Sequence, residues 1–149
     1  MVKFKNGDLL KAKEKVIAHQ VNCHGAAGGL AYHVFKKWPV AGKDYMQLIE
    51  RVQPKALLGM AQITGQQKDG HIICNLFGQF HPGADYRPDR LETALEQLAN
   101  SARLMGWSVA LPYKISCGIC GGDWDEVLQI IERTMEGVDC VIYKREGDQ

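Results

Sequence analysis

The sequence predicts an α/β sandwich built on a largely parallel sheet, and three observations predict it. Short β-branched or apolar runs alternate with amphipathic helical stretches along most of the 149 residues. Two strand-to-helix junctions, Cys23 to Gly29 and Ser116 to Gly122, are rich in glycine. The composition, 46% apolar and 23% charged, is that of one ordinary globular domain spanning 1–149, with no linker, repeat or low-complexity tract.

In chain order, Lys15 to Val21 (KVIAHQV) is a β-branched run, and after the glycine-rich segment Leu30, Val34 and Phe35 recur at helical spacing. Pro39 ends that helix near Trp38, because the residue before proline is pushed out of the α region. Tyr45, Leu48, Ile49 and Val52 place a second short helix over Asp44 to Val52. Ala56 to Thr64 and His71 to Phe77 read as strands joined by the polar turn GQQKDG, hence as a hairpin or adjacent pair. Pro88 opens a helix carried by Leu91, Leu95, Leu98, Ala102 and Met105 and closed by Gly106. Ser108 to Tyr113 is a strand, Asp123 and Glu126 match an N-cap and its capping-box partner, and Val127, Ile130, Ile131 and Met135 continue that helix. Val138 to Lys144 supplies a last strand, and the tail Arg145 to Gln149 is expected to fray.

A formal net charge of +1 gives no field for nonspecific capture of nucleic acid or an anionic membrane, so neither is expected as a partner. The start MVKFKNGDLL has no apolar core of a leader, and no stretch nears the roughly 18 apolar residues of a membrane helix, which points to the cytoplasm. Five cysteines, an odd number in a chain able to build a core, argue for reduced thiols.

The glycine loops carry the chemistry. Glycine lets backbone N–H groups approach an anion, and the helix that follows adds its positive dipole end. Two such loops in one domain suit two phosphates or a diphosphate, although glycines that only permit tight turns would look the same. Neither loop fits the P-loop or the dinucleotide fingerprint. Cys117-Gly-Ile-Cys120 has redox spacing, but Gly121, Gly122 and Asp123 separate it from the helix start, where a dipole would activate a thiol. A zinc site lacks further ligands beyond Cys23 and His24, and no metal or cofactor is expected.

Asn6-Gly7-Asp8-Leu9, Val21-Asn22-Cys23 followed by Gly28-Gly29-Leu30-Ala31-Tyr32, Leu111-Pro112 and the Cys117-to-Trp124 loop, in that order, resemble a macrodomain over nearly the whole chain. Within the family the first loop is most similar to the ADP-ribose-1″-phosphate phosphatase branch and, more distantly, to the ADP-ribose protein glycohydrolases. The resemblance implies a three-layer α/β/α fold with a mixed, largely parallel sheet and a cleft for ADP-ribose or its phosphorylated or protein-linked derivatives. It makes Asp8, beside Leu9, an acceptor for the adenine amine and Tyr143 the aromatic near the adenine. Gly28, Gly29 and Ala31 become the diphosphate-facing turn. Ser116, Cys117, Gly118, Ile119, Cys120 and Gly121 become the second loop, acting mainly through their amides. Asn22 falls at the distal ribose, His19 becomes an acid/base candidate, and His24, where relatives tend to carry asparagine, neighbours the distal ribose in binding or chemistry.

The chain departs from the glycohydrolase branch, which uses a lysine after the central strand and an aspartate in the second loop. Gly78-Gln79 and Cys120 stand there instead, so a lysine Schiff base is not expected. Ala27 replaces a glycine of the first loop and narrows access to the phosphate. The expected activity is removal of the terminal phosphate of ADP-ribose-1″-phosphate. Hydrolysis of ADP-ribosyl or O-acetyl-ADP-ribose, or plain recognition without turnover, are the alternatives.

Overall fold

A computed structural model describes residues 2–145. Its strands are β1 (Val2–Asn6), β2 (Val16–Gln20), β3 (Ala61–Ile63), β4 (Ile72–Leu76), β5 (Val109–Pro112) and β6 (Cys140–Lys144), in one sheet of order β1-β6-β5-β2-β4-β3. Every neighbouring pair is parallel except β3–β4. The helices are α1 (Gly29–Lys37), α2 (Pro39–Arg51), α3 (Pro54–Leu57), α4 (Pro88–Met105) and α5 (Trp124–Thr134).

Strand alternation divides the core into two layers around the sheet. Val16 and Ala18 of β2, Cys74 of β4 and Leu111 of β5 pack with Leu91, Leu95 and Leu98 of α4 and Val127 and Ile131 of α5. Ile17, Ile73, Ala110 and Val141 face the other way, onto Val34 of α1, Trp38 between the two helices and Ala41 of α2. Cys74 and Cys140 are plain core residues, both without solvent exposure. The result is the expected three-layer sandwich with a mixed, mostly parallel sheet.

Four local expectations are corrected. Pro39 does not only stop α1: Trp38 is a single non-helical joint (φ −122°, ψ 78°), and Pro39 is the first residue of α2, where its fixed φ and missing N–H suit a helix start. Pro54 does the same for α3, so the strand expected over Ala56 to Thr64 shrinks to Ala61–Ile63, antiparallel to β4. Asp123 caps α5 by accepting from the Asp125 amide at 3.1 Å, but Glu126 takes the Tyr86 hydroxyl at 2.6 Å instead of closing a capping box. Strand β1, at the sheet edge, was not expected at all. The tail expected to fray lies, beyond Arg145, outside the described residues.

Gly106 ends α4 at φ +71°, a left-handed conformation that glycine enters without a Cβ penalty. Among the described residues no helix is long and apolar enough to cross a membrane.

Candidate functional site

The carboxyl ends of β2, β5 and β6 open onto a groove, as expected of ligand sites in parallel sheets. Its two adjoining cavities, about 540 and 440 Å³, share Gly29, Leu30, Pro112 and Tyr113 as common lining. The larger lies between the two glycine loops, and the smaller reaches Asp8, Leu9 and Tyr143.

In the first loop Asn22 shapes the backbone. Its Oδ1 accepts from the amides of His24 (2.9 Å) and Ala26 (3.3 Å), and its Nδ2 donates to the Ala26 carbonyl (2.7 Å). The buried Tyr45 of α2 pins the same turn from below. Its hydroxyl donates to the Asn22 carbonyl at 2.8 Å and accepts from the Gly25 amide at 3.1 Å. These bonds stop short of Ala27 and Gly28, whose amides, with those opening α1, have no acceptor among the described residues. Gly28, Gly29 and Ala31 all line the larger cavity.

The second loop is wound by consecutive turns. Cys117 N–H donates to the Lys114 carbonyl (2.9 Å), Gly121 N–H to Gly118 (3.0 Å) and Gly122 N–H to Ser116 (2.9 Å). Lys114 (φ 57°) and Ser116 (φ 69°) are the two non-glycine residues in the left-handed region among the described residues, a backbone strain that directs the loop back over the groove. The amides of Ser116, Gly118, Ile119 and Cys120 are left without an acceptor among the described residues, and all four residues line the cavity. Two rows of open donors thus border one space, the arrangement an oxyanion requires. Ile119 stands at the loop tip, 84% exposed.

The cysteines of the second loop serve its architecture. Cys120 is buried and its thiol donates to the Asp85 carbonyl at 3.1 Å, while burial pushes the Cys117 thiol up to about 11. A thiol so raised is not a thiolate near neutrality, which removes the basis for redox chemistry. All five cysteines are free, and no group of three or more His, Cys, Asp or Glu placed to hold a metal occurs among the described residues.

At the far end, Asp8 Oδ1 accepts from the Leu10 amide at 2.9 Å and caps a short 3-10 turn over Leu9–Lys11. Tyr143 presents its ring to the smaller cavity and donates its hydroxyl to Glu14 Oε1 at 2.6 Å.

Four candidates, His19, His24, Cys117 and Gly121, line neither cavity, and the first of them is cut off from the groove altogether. The His19 side chain is wholly buried on the opposite sheet face from its neighbour Gln20, edge-on to Phe35 and 2.7 Å from Asn75 Oδ1. Burial pulls its imidazole down to about 4, against the partial support of the Asn75 bond. A neutral imidazole without access to the cleft delivers no proton there, so His19 leaves the acid/base set. His24 remains at the loop, exposed, with its ring parallel to that of His81 at 5.1 Å and edge-on to Phe80 at 4.9 Å.

Sequence reasoning missed Gln20, Gln79, Pro82, Gly83, Tyr113 and Lys114, all of which line the larger cavity. The rule that ligands sit at strand carboxyl ends would have found Gln20, Tyr113 and Lys114. The 79–83 stretch carried no signal, because it enters the site through tertiary bonds: Cys23 N–H to Phe80 O (3.1 Å) and the Cys23 thiol to Gln79 O (3.4 Å).

Fold and groove together define a three-layer α/β/α domain with an anion-ready cleft at its strand ends. The chain belongs to the macrodomain family: the family model described as Macro domain matches residues 18–131. It is 22% identical to an ADP-ribose 1″-phosphate phosphatase of Saccharomyces cerevisiae, over 96% of this chain and 98% of that one. It is 28% identical to a DNA ADP-ribosyl glycohydrolase of Mycobacterium tuberculosis, over 99% of this chain but 43% of that longer protein. The solved macrodomain of Mycobacterium tuberculosis DarG superposes with a TM-score of 0.84 at 28% identity, covering 96% of this chain and 97% of that one.

Proposed function

We propose that this macrodomain binds ADP-ribose in the groove and hydrolyses the terminal phosphate ester of ADP-ribose-1″-phosphate. The observation that carries the reading is the double row of open amides, those of Gly28 to Ala31 and those of Ser116, Gly118, Ile119 and Cys120, bordering one cavity. A diphosphate placed between them would meet fixed donors and two loop backbones with little charge repulsion. The adenine would lie toward Asp8, Leu9 and Tyr143, and the distal ribose toward Asn22 and His24. The similarity to the yeast phosphatase, over nearly the full length of both chains, supports the choice of bond.

In this reading water attacks phosphorus and gives up its proton to solvent as the P–O bond to the ribose breaks, the second-loop amides take up charge on the phosphoryl oxygens, and a proton carried by the His24 imidazole passes to the departing ribose oxygen. Asn22 acts by holding the His24 and Ala26 amides in place. No metal or cofactor enters the scheme.

A second reading, release of ADP-ribose from a macromolecule, draws on the likeness to the mycobacterial glycohydrolase. It would proceed by water attack, because Gly78 and Gln79 follow β4 where that branch has its lysine, and Gln79 lies in the groove. The deciding experiment offers ADP-ribose-1″-phosphate and ADP-ribosylated protein or DNA in parallel and measures phosphate and ADP-ribose release. Phosphate release that falls in His24→Gln supports the first reading. ADP-ribose release alone replaces it with the second, and tight binding with neither product leaves a reader of ADP-ribose.

A further inference from the structure

The net charge of +1 averages two unlike halves of the chain. Residues 1–55 carry ten Lys and Arg against four Asp and Glu, whereas residues 56–149 carry eight against thirteen. The fold sorts the helices of these halves onto opposite faces. The 3-10 turn over Leu9–Lys11, α1 and α2 pack on one side of the sheet, and α4 and α5 on the other. On the α4–α5 face Arg90 and Arg133 are paired with Asp89 and Glu92, while Glu96, Glu132 and Glu136 are exposed. On the α1–α2 face no Lys or Arg is in an ion pair among the described residues.

Helix α1 concentrates that charge beside the groove. Tyr32 and Lys36, like His33 and Lys37, stand four residues apart and so neighbour each other on the helix surface. All four are exposed. The Tyr32 ring meets that of His33 edge-on at 5.3 Å, and 54% of the tyrosine still faces solvent. His33 lines the smaller cavity, so this stripe is the outer surface of a groove wall. Lys37 Nζ donates to the Leu10 carbonyl and lies 4.9 Å from the centroid of the Trp38 ring, which brings the end of α1 against the 3-10 turn and Lys11. Beyond the joint at Trp38, a Cβ on Gly42 would stand 2.9 Å from Phe35 Cβ. At that approach α2 folds back on α1 and adds the exposed Lys43 to the same face.

We propose that the outer face of α1, with Tyr32, Lys36 and Lys37 at its centre and Lys11 and Lys43 flanking it, binds a single-stranded nucleic acid alongside the groove. Charge and shape name the occupant. A phosphate backbone complements unpaired ammonium groups and releases its counterions on binding, and an exposed ring among those groups offers a platform for a base. An acidic peptide would satisfy the charges but has no flat face for Tyr32, and a duplex keeps its bases stacked away from the ring. The proposal departs from the expectation drawn from net charge alone, because a sum over the chain does not say where the charges lie. It does not depend on which bond the groove cleaves. It gives the domain a polymer partner whose path along α1 passes the cavity that His33 lines.

The test is fluorescence anisotropy of a labelled oligothymidylate of about twelve nucleotides, titrated with the full chain at about 50 and about 200 mM salt. The matching duplex and polyglutamate are titrated in parallel. Wild type should bind the strand with micromolar affinity and weaken about thirtyfold between the two salt concentrations, as three or four phosphate contacts require. Lys36→Gln/Lys37→Gln should lose about tenfold at low salt and show a shallower salt dependence. Tyr32→Ala should lose about tenfold with the salt dependence unchanged, and Tyr32→Trp should restore affinity, because stacking and not charge is altered. Lys37 also holds the Leu10 carbonyl, so Lys36→Gln/Lys43→Gln, which breaks no hydrogen bond or ion pair among the described residues, repeats the charge measurement without touching the fold. Absence of strand binding at low salt overturns the proposal, as does wild-type affinity in both lysine pairs. Wild-type affinity in Tyr32→Ala, or polyglutamate or duplex bound as tightly as the strand, overturns the choice of a single strand. A chain that binds the strand but not ADP-ribose bears out this face and overturns the ADP-ribose reading of the groove.

Discussion

His19 Nε2 lies 2.7 Å from Asn75 Oδ1, and neither side chain has any solvent exposure. Asn75 Nδ2 donates onward to Gln62 Oε1 at 3.0 Å, and Gln62 Nε2 to the Asp44 carbonyl at 3.0 Å. The chain of bonds crosses β2, β4 and β3 and ends on α2. His19 therefore fixes strand against strand and sheet against helix, and each link is costly to break singly because its partner is left buried and unpaired.

This placement gives stability a definite pH dependence. The His19 imidazole takes a proton near 6.5 in the unfolded chain and only near 4 in the folded one. Between those values the unfolded chain binds more protons, so stability falls as pH drops, by on the order of 3 kcal/mol across the window. Thermal unfolding from pH 7.5 to 4.5 should show the stability advantage of wild type over His19→Gln shrinking as the medium is acidified. An advantage that stays constant across that range contradicts the account.

Tyr45→Phe removes only the hydroxyl that ties the Asn22 carbonyl to the Gly25 amide. With the buried ring retained, the loss should be about 1 to 2 kcal/mol of stability. The first loop should loosen as well, lowering ADP-ribose affinity by several-fold. Chemical denaturation and calorimetry on the same sample check both effects, and unchanged affinity would show that the loop holds its shape without this bond.

The second loop makes opposite demands on two of its glycines. A Cβ on Gly122 would come 2.4 Å from the Ser116 carbonyl oxygen and 2.5 Å from the Tyr86 ring, whereas one on Gly118 would meet nothing within 4 Å. Gly122→Ala should therefore displace the loop and abolish ADP-ribose binding in a folded protein. Gly118→Ala should leave stability within about 0.5 kcal/mol of wild type. Equal behaviour of the two variants in binding and thermal unfolding would contradict the loop geometry.

Cys117→Ser and Cys120→Ser should bind ADP-ribose with affinities close to that of wild type. The Cys117 thiol is pushed up to about 11, and a serine hydroxyl at position 120 can still donate to the Asp85 carbonyl. A loss of function in Cys117→Ser, with ADP-ribose binding intact, would restore sulfur to the chemistry.

What the sequence made legible follows physical lines. Helix α4, with its leucine stripe, first-turn proline and terminal glycine, is written in local preferences that nothing overrides. Both glycine loops lie where their residues place them, since a strand, a turn and a helix start are local events. Edge strand β1 escaped notice because Lys3, Phe4 and Lys5 are all exposed, so no buried face imposes alternation on it. His19 was misplaced for the converse reason. Strand β2 is buried on both faces from Val16 to His19, and alternation there cannot say which neighbour, His19 or Gln20, faces the groove. Gln79 and its loop reach the site through bonds to Gln20 and Cys23, far away in sequence, a relation that no local pattern encodes.

The central claim is that the backbone donors of both glycine loops grip a diphosphate in the groove at the sheet's edge. Amide NMR during titration with ADP-ribose tests it most directly. The account predicts saturable shifts at Gly28, Gly29, Gly118 and Ile119, with resonances on the outer face of α4 unmoved. Four unmoved loop amides at saturating ADP-ribose would contradict it.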